Sequence, residues 1–174
     1  LVANRGEIAV RVIRTLQRLG IESVLAVSSA DRDSLGARRA DRAVCIGPAR
    51  ARDSYLNIGA LISAALGTGC QAVHPGYGFL SENAEFAAAC ERNGVLFIGP
   101  TAEQIERVGN KLEARRIAGQ ARVPTPPGGP VATLQDALGM ADQVGYPVLI
   151  KAVAGGGGRG MKRADTPAEL GAQF

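Results

Sequence analysis

Between residues 1 and 100 short apolar runs alternate with stretches of helical periodicity, and this alternation constrains the fold more than any other feature. Leu1-Val2-Ala3, Ile21 to Val27, Ala43 to Ile46, Gln71 to Val73 and Val95 to Ile98 read as five strands. Helical segments separate them. Ile8, Val12, Leu16 and Leu19 would line one face of the first, with Asn4 and Glu7 forming a capping box and Gly20 as its stop. A short helix ends near Arg39, and Tyr55 to Leu66 repeats apolar residues at helical spacing. Another helix runs from Ser81, its expected cap, to about Asn93. Such alternation predicts an α/β fold, an open and mainly parallel sheet flanked by helices. Sheets of this kind bind ligands beyond the carboxyl ends of their strands.

The bulk composition narrows the function classes. At 174 residues the chain is long enough for one domain and the start of another. No apolar run would span a bilayer and no signal peptide is visible, so a membrane role is not expected. Leu1 is not an initiator Met, and Thr166 to Phe174 begins a helix that simply stops, so the chain reads as cut at both ends. Cys45, Cys70 and Cys90 have no metal or redox spacing and are expected to be small buried residues of a reducing compartment. The net charge of +4 is carried by scattered arginines, with three tyrosines, four phenylalanines and no tryptophan. That favours an anionic nucleotide or a partner over nucleic acid. Arg11, Arg14 and Arg18 share one helical stripe, a solvated face or a subunit contact.

From Thr101 the texture changes. Thr101 and Gln104 suggest a capping box, Gly109-Asn110 a break, and Lys111 to about Ala121 a helix. Pro124 to Pro130 is the clearest linker. Thr133 to Val144 reads as a helix stopped by Gly145. Val148 to Ile150 then reads as a buried strand with Lys151 at its end, followed by Gly155 to Gly158, Arg159, Gly160 and Met161. Without Cβ atoms such a run can bring backbone N–H groups against phosphate. Met161 stands where a P-loop needs lysine, and no helix follows directly, so neither common phosphate fingerprint is met. Met161-Lys162-Arg163 looks like a returning strand, which makes the whole a hairpin flap suited to closing over a triphosphate.

His74-Pro75-Gly76-Tyr77-Gly78-Phe79-Leu80-Ser81-Glu82-Asn83 follows the fourth strand. It lacks the third glycine and the later acidic residue of a dinucleotide site, which argues against NAD. The turn would project Tyr77 and Glu82 into a cleft. His74 reads as a hydrogen-bonded structural residue, since no Cys or Asp set for a metal accompanies it.

Taken in order, Val2 to Ala9, Ser28 to Asp33, His74 to Asn83, Phe97 to Pro100, Lys111, and Tyr146 through Lys151 to Met161 resemble the biotin carboxylase family of ATP-grasp enzymes. The resemblance covers essentially the whole chain. It implies a Rossmann-like pre-ATP-grasp domain over 1–100, a helical bridge and linker over 101–130, and the beginning of the ATP-grasp domain over 131–174. Such enzymes use Mg-ATP and bicarbonate to form carboxyphosphate, which carboxylates biotin on a carrier protein. By motif position, Lys111 and Lys151 would contact ATP phosphates, Gly156, Gly157 and Gly158 would cover them, and Met161 would lie by the nucleotide. Tyr77 and Glu82 would line the bicarbonate and biotin side.

The resemblance also implies a biotin carboxyl carrier protein or domain, a carboxyltransferase subunit or domain, and a homodimer or larger complex. A cytoplasmic or mitochondrial-matrix setting is implied too. The family's magnesium ligands, bicarbonate-binding arginine and catalytic base lie past Phe174, so no metal ligand is expected here and this stretch alone should not turn over. Asn110 stands where the family often has Asp, and Lys162-Arg163 where it usually has apolar or mixed residues. A non-catalytic interaction or dimerisation domain, or another ATP-grasp ligase resembling carbamoyl-phosphate synthetase, is the alternative.

Overall fold

The computed structural model describes residues 1–151 and 160–174, and at Lys111 the backbone without the side chain. The expected glycine contacts at Gly155 to Gly158 lie outside the described residues. The chain divides into two compact units, Leu1–Gly109 and Asn110–Phe174.

In the first unit the strands pair in parallel. β1 (Val24–Ser28) lies beside β2 (Arg42–Gly47), and β3 (Ala72–Val73) beside β4 (Leu96–Phe97). Between the two pairs runs the amino-terminal segment, where Val2 bridges Leu25 on one side and His74 on the other, both in parallel. Val2 N donates to Val24 O, Ala3 N to His74 O, and Ala26 N to Val2 O. All five residues of β1 are buried, the burial expected of a parallel strand covered on both faces.

Helices supply that cover. α1 (Gly6–Arg18) buries Ala9 and Ile13 against Val2, Leu25 and Val27, with Val12 and Leu16 at the margin. The inward face is therefore turned from the expected one, and Leu19, just past the helix end, is exposed. α2 (Leu35–Arg39) is capped by Ser34. α3 (Ile58–Gly67), capped by Asn57, contributes Leu61, Ile62, Ala64 and Ala65 to a second cluster. That cluster also contains Tyr55, Val73, Leu80, Phe86, Cys90 and Val95. α4 (Ala84–Arg92) supplies Phe86, Ala89 and Cys90, and α5 (Ala102–Gly109) opens on the expected pairing of Thr101 with Gln104.

Three local expectations fail for physical reasons. Asn4 and Glu7 form no capping box, because the Asn4 amide turns inward to satisfy two loop carbonyls and Arg5 takes the cap position without a side-chain bond. Ser81 does not cap α4. Asn83, two residues closer to its start, accepts from Phe86 N instead. Cys45 is exposed on β2, where three of the six residues are exposed. Cys90 is buried and Cys70 lies between, all three free.

In the second unit, α6 (Lys111–Gln120) is capped by Asn110, and Arg115 donates to Pro126 O and Gly128 O at 2.8 Å each, tying down the Pro-rich stretch. α7 (Leu134–Val144) opens on a capping box between Thr133 and Asp136. β5 (Val148–Lys151) and β6 (Met161–Ala164) pair antiparallel with Lys151 opposite Met161, the hairpin that the sequence suggests, but β5 is not the buried strand expected: Leu149 and Lys151 are exposed and Val148 and Ile150 are half-buried. α8 (Pro167–Gln173) packs Leu170 with Ala137, Ala141 and Ala164. Among the described residues no helix is long and apolar enough to cross a membrane.

Candidate functional site

The carboxyl ends of the amino-terminal segment, β1 and β3 lie side by side, and the residues just beyond them form one polar and aromatic cluster. Asn4 is its buried hub, at 1% exposure. Its Nδ2 donates to Pro75 O at 2.8 Å and Tyr77 O at 3.0 Å, and its Oδ1 accepts from Arg5 N at 2.9 Å. The loop it holds turns sharply. Gly76 and Gly78 have φ of 67° and 70°, and Phe79 follows at 43°, a left-handed conformation rare for an aromatic residue. A Cβ at Gly76 would meet Ile8 Cγ2 at 2.7 Å and Asn4 Nδ2 at 2.8 Å, so glycine is required there for close approach as well as for φ.

Beside the loop, Ser28 and Asp31 follow β1. The Tyr55 hydroxyl donates to Asp31 Oδ2 at 2.7 Å and accepts from Ser28 N at 2.9 Å, while Ser28 Oγ donates to the same carboxylate at 2.6 Å. Burial pushes the Tyr55 phenol up to about 12. Asp31 is held below its ordinary value: burial, the largest single influence, opposes this but is outweighed by donation from Ser28 and Tyr55 and by the Arg5 charge. The Tyr55 ring stacks on Phe79 with centroids 5.1 Å apart and 9° between planes. The Arg5 guanidinium sits 5.4 Å from one ring centroid and 5.5 Å from the other, and 3.6 Å from Asp31.

Of the residues expected at the site, Tyr77 lies on this loop, half exposed, and its hydroxyl donates to Glu7 Oε1. That bond raises the Tyr77 phenol above its ordinary value, with smaller contributions from burial and from the Glu7 charge and an opposing one from Arg11. Glu82 is exposed just before α4, and among the described residues no hydrogen bond or ion pair engages it. The structure thus pairs Tyr77 with Glu7. His74 Nδ1 accepts from Gly76 N at 3.0 Å, the structural role read from its sequence context, and burial lowers its pKa.

In the second unit Lys151 and Met161 are exposed and pair at the loop end of the hairpin. Gly156, Gly157, Gly158 and the Lys111 side chain lie outside the described residues. Among the described residues no group of three or more His, Cys, Asp and Glu is placed to hold a metal ion.

Arg5, Asp31, Tyr55 and Phe79 were not singled out as site residues. Arg5, Asp31 and Phe79 lie in the stretches Val2 to Ala9, Ser28 to Asp33 and His74 to Asn83, which carry the family resemblance. Tyr55 carries no local signal, because its role rests on contacts with residues 24 and 27 positions away.

A parallel-paired α/β unit with polar loops gathered at strand carboxyl ends is the class that holds ligands at that edge. The chain belongs to the biotin carboxylase family: residues 1–105 match the biotin carboxylase N-terminal domain. Residues 110–174 match the carbamoyl-phosphate synthase L chain ATP binding domain. Biotin carboxylase 1 of Bacillus subtilis is 52% identical over 172 residues, covering 98% of this chain and 38% of that protein. The mitochondrial methylcrotonoyl-CoA carboxylase subunit alpha of Glycine max is 53% identical over 172 residues, covering 98% of this chain and 24% of that protein. Among solved structures, a biotin carboxylase–β-γ-ATP complex from Campylobacter jejuni superposes with a TM-score of 0.91 at 43% identity, over 99% of this chain and 39% of that one. The biotin carboxylase domain dimer of Hydrogenobacter thermophilus 2-oxoglutarate carboxylase, in complex with MgADP, ADP and bicarbonate, gives 0.87 at 44% identity, over 98% of this chain and 38% of that one. The chain therefore spans well under half the length of these relatives.

Proposed function

We propose that this chain is the amino-terminal part of an ATP-dependent biotin carboxylase. The activity is carboxylation of biotin on a carrier protein through carboxyphosphate, the first half-reaction of a biotin-dependent carboxylase. One observation carries the reading: the similarity covers 98% of the chain at 52% identity to a biotin carboxylase. The ligands named for the Hydrogenobacter thermophilus structure, MgADP and bicarbonate, are the substrate class this reading requires.

The division of labour follows the two units. The parallel pairs and the Val2 bridges support one open parallel layer in the order β2, β1, amino-terminal segment, β3, β4. This is the Rossmann-like pre-ATP-grasp domain of 1–100, followed by a helical bridge over 101–130 and the start of the ATP-grasp domain over 131–174. Lys151, exposed at the end of β5, and Lys111 place fixed positive charge at the ATP phosphates. Gly156, Gly157 and Gly158, between the hairpin strands, bring backbone donors over them, with Met161 beside the nucleotide. Tyr77 and Glu82 line the bicarbonate and biotin side. Phosphoryl transfer to bicarbonate needs positioning and charge neutralisation, and magnesium, when bound, supplies part of that neutralisation. Its ligands are assigned to residues beyond this chain. The flap keeps water from a labile mixed anhydride.

The acceptor of the carboxyl group is set by a carboxyltransferase, and a biotin carboxyl carrier protein or domain delivers the biotin. A homodimer fits the exposed arginine stripe of α1, where Arg11, Arg14 and Arg18 line a groove with Ser34 and Leu35. The compartment is cytoplasmic, or the mitochondrial matrix for a eukaryotic source.

The test is bicarbonate-dependent ATP hydrolysis, stimulated by free biotin, in the full-length protein. Lys151→Ala should lower kcat/KM for ATP by about 10²–10³-fold, the cost of removing one preorganised charge from a phosphoryl-transfer site. Absence of bicarbonate-dependent hydrolysis in the unaltered protein would overturn the reading.

A further inference from the structure

We infer that Phe79, Tyr55 and Arg5 form an aromatic–cation clamp that positions Tyr77. The backbone poses the problem. Three of four successive residues, Gly76, Gly78 and Phe79, have positive φ, and glycine tolerates this where phenylalanine does not. A side chain kept in a strained conformation needs surroundings that hold it there, and such residues gather at working sites. The Phe79 ring has that support. It lies flat on Tyr55, the Arg5 guanidinium stands within 5.5 Å of both ring centroids, and Asp31 steadies the guanidinium from 3.6 Å. Tyr55 is itself fixed by its hydroxyl bonds to Ser28 N and Asp31. The clamp is thus anchored to the end of β1 and grips the loop two residues beyond Tyr77.

From the other side, Asn4 grips the Tyr77 carbonyl. With its backbone held between these two grips, the Tyr77 side chain is delivered to Glu7, its bonding partner on α1, with Arg11 the other charged group acting on it. Phe79, Tyr55 and Arg5 are positioning residues, since they act on the site through Tyr77. The catalytic relevance of that placement rests on the proposed reading that Tyr77 lines the bicarbonate and biotin side.

Phe79→Gly separates the ring from the backbone. Glycine accepts the left-handed conformation without strain, so what is lost is the ring, with its stack on Tyr55 and its packing against the core cluster. The readout is the titration of the Tyr77 phenol, followed by the 13Cζ signal of labelled tyrosine in this chain. Phe79→Gly should abolish the upward displacement that Glu7 imposes on Tyr77, and Phe79→Tyr, which restores a ring, should bring it back. Arg5→Met should give an intermediate loss. Should Phe79→Gly disturb folding, Arg5→Met alone decides the question, because an unchanged Tyr77 titration there overturns the clamp. An unchanged titration in folded Phe79→Gly overturns it equally, since the loop would then hold its shape without the ring.

In the full-length protein Phe79→Gly should lower kcat by about 10–100-fold with the ATP KM unchanged, the penalty of a misplaced group. A rise in ATP KM with kcat unchanged would overturn the positioning role. Lack of bicarbonate-dependent hydrolysis in the unaltered protein would refute the proposed function, and the Tyr77 titration would still judge the clamp.

Discussion

Tyr55→Phe removes one oxygen atom from the most interconnected side chain of the carboxyl edge, and its cost can be worked out from the contacts. The ring is fully buried and would stay in place, keeping its stack on Phe79. Two hydrogen bonds disappear. Asp31 loses a donor at 2.7 Å but retains Ser28 Oγ at 2.6 Å and Arg5 at 3.6 Å, so its charge remains compensated. For Ser28 N the acceptor is the Tyr55 hydroxyl: the residue is fully buried, and without that oxygen its amide would face an apolar ring edge. An orphaned buried donor costs about 1–3 kcal/mol. With the Asp31 loss partly made good by its other partners, the net destabilisation should be about 2 kcal/mol. For a unit of this size that corresponds to roughly an 8 °C drop in Tm. Urea unfolding followed by far-UV circular dichroism gives the energy, and hydrogen exchange at the Ser28 amide gives the location. A loss below about 0.5 kcal/mol with the Ser28 amide still protected would refute the reasoning, because it would mean the amide has another partner.

Other perturbations follow from neighbouring contacts. Gly76→Ala would force a Cβ to within 2.7 Å of Ile8 and 2.8 Å of Asn4 at a φ of 67°, and should cost about 1–3 kcal/mol, measurable by urea unfolding. Asp31 and Asp41 both titrate below the ordinary carboxylate value. Asp41 does so because Ser23 donates its backbone N–H, and then its hydroxyl, to the carboxylate. A depressed folded-state pKa gives stability that is complete above the unfolded value and drains away as pH falls through the folded one. The urea midpoint should therefore decline below about pH 4, and Asp41→Asn should flatten part of that decline. A pH-independent midpoint in the unaltered chain across that range would contradict both assignments.

Much of the fold was legible because parallel α/β architecture leaves a period in the sequence. Short apolar runs such as Val24 to Val27 and helical repeats such as Leu61 to Ala65 each report their own burial. The returning strand after the glycines was legible for the same local reason, and β6 pairs with β5 in the expected hairpin. Helix starts were less so. Asn4, Ser81 and Asn83 are all competent caps, and what decides among them is not local. Asn4 is diverted by carbonyls more than 70 residues away, and that diversion moves the start of α1 to Gly6. Cys45 departs from the burial usual for its residue type because β2 leaves three of its six residues exposed.

The site shows the same division between local and assembled information. That Tyr77 stands on a turning loop could be read from the glycines beside it, and that Lys151 ends a strand from the apolar run before it. What Tyr77 contacts could not be read, because its partner comes from α1 rather than from its own loop. The aromatic clamp was less visible still: Arg5, Asp31, Tyr55 and Phe79 come from four separate segments. Parallel strands running side by side carry the first, second and fourth of these segments to one edge, and Tyr55 approaches from beneath Phe79. The edge is therefore where independent local features acquire joint meaning. If so, stability and site geometry are coupled there. A substitution such as Tyr55→Leu, which removes the hydroxyl and the stacked ring together, should loosen both the end of β1 and the Phe79 loop, whereas a loss at Asp41, which binds Ser23 just before β1, should leave the Tyr77 titration unmoved.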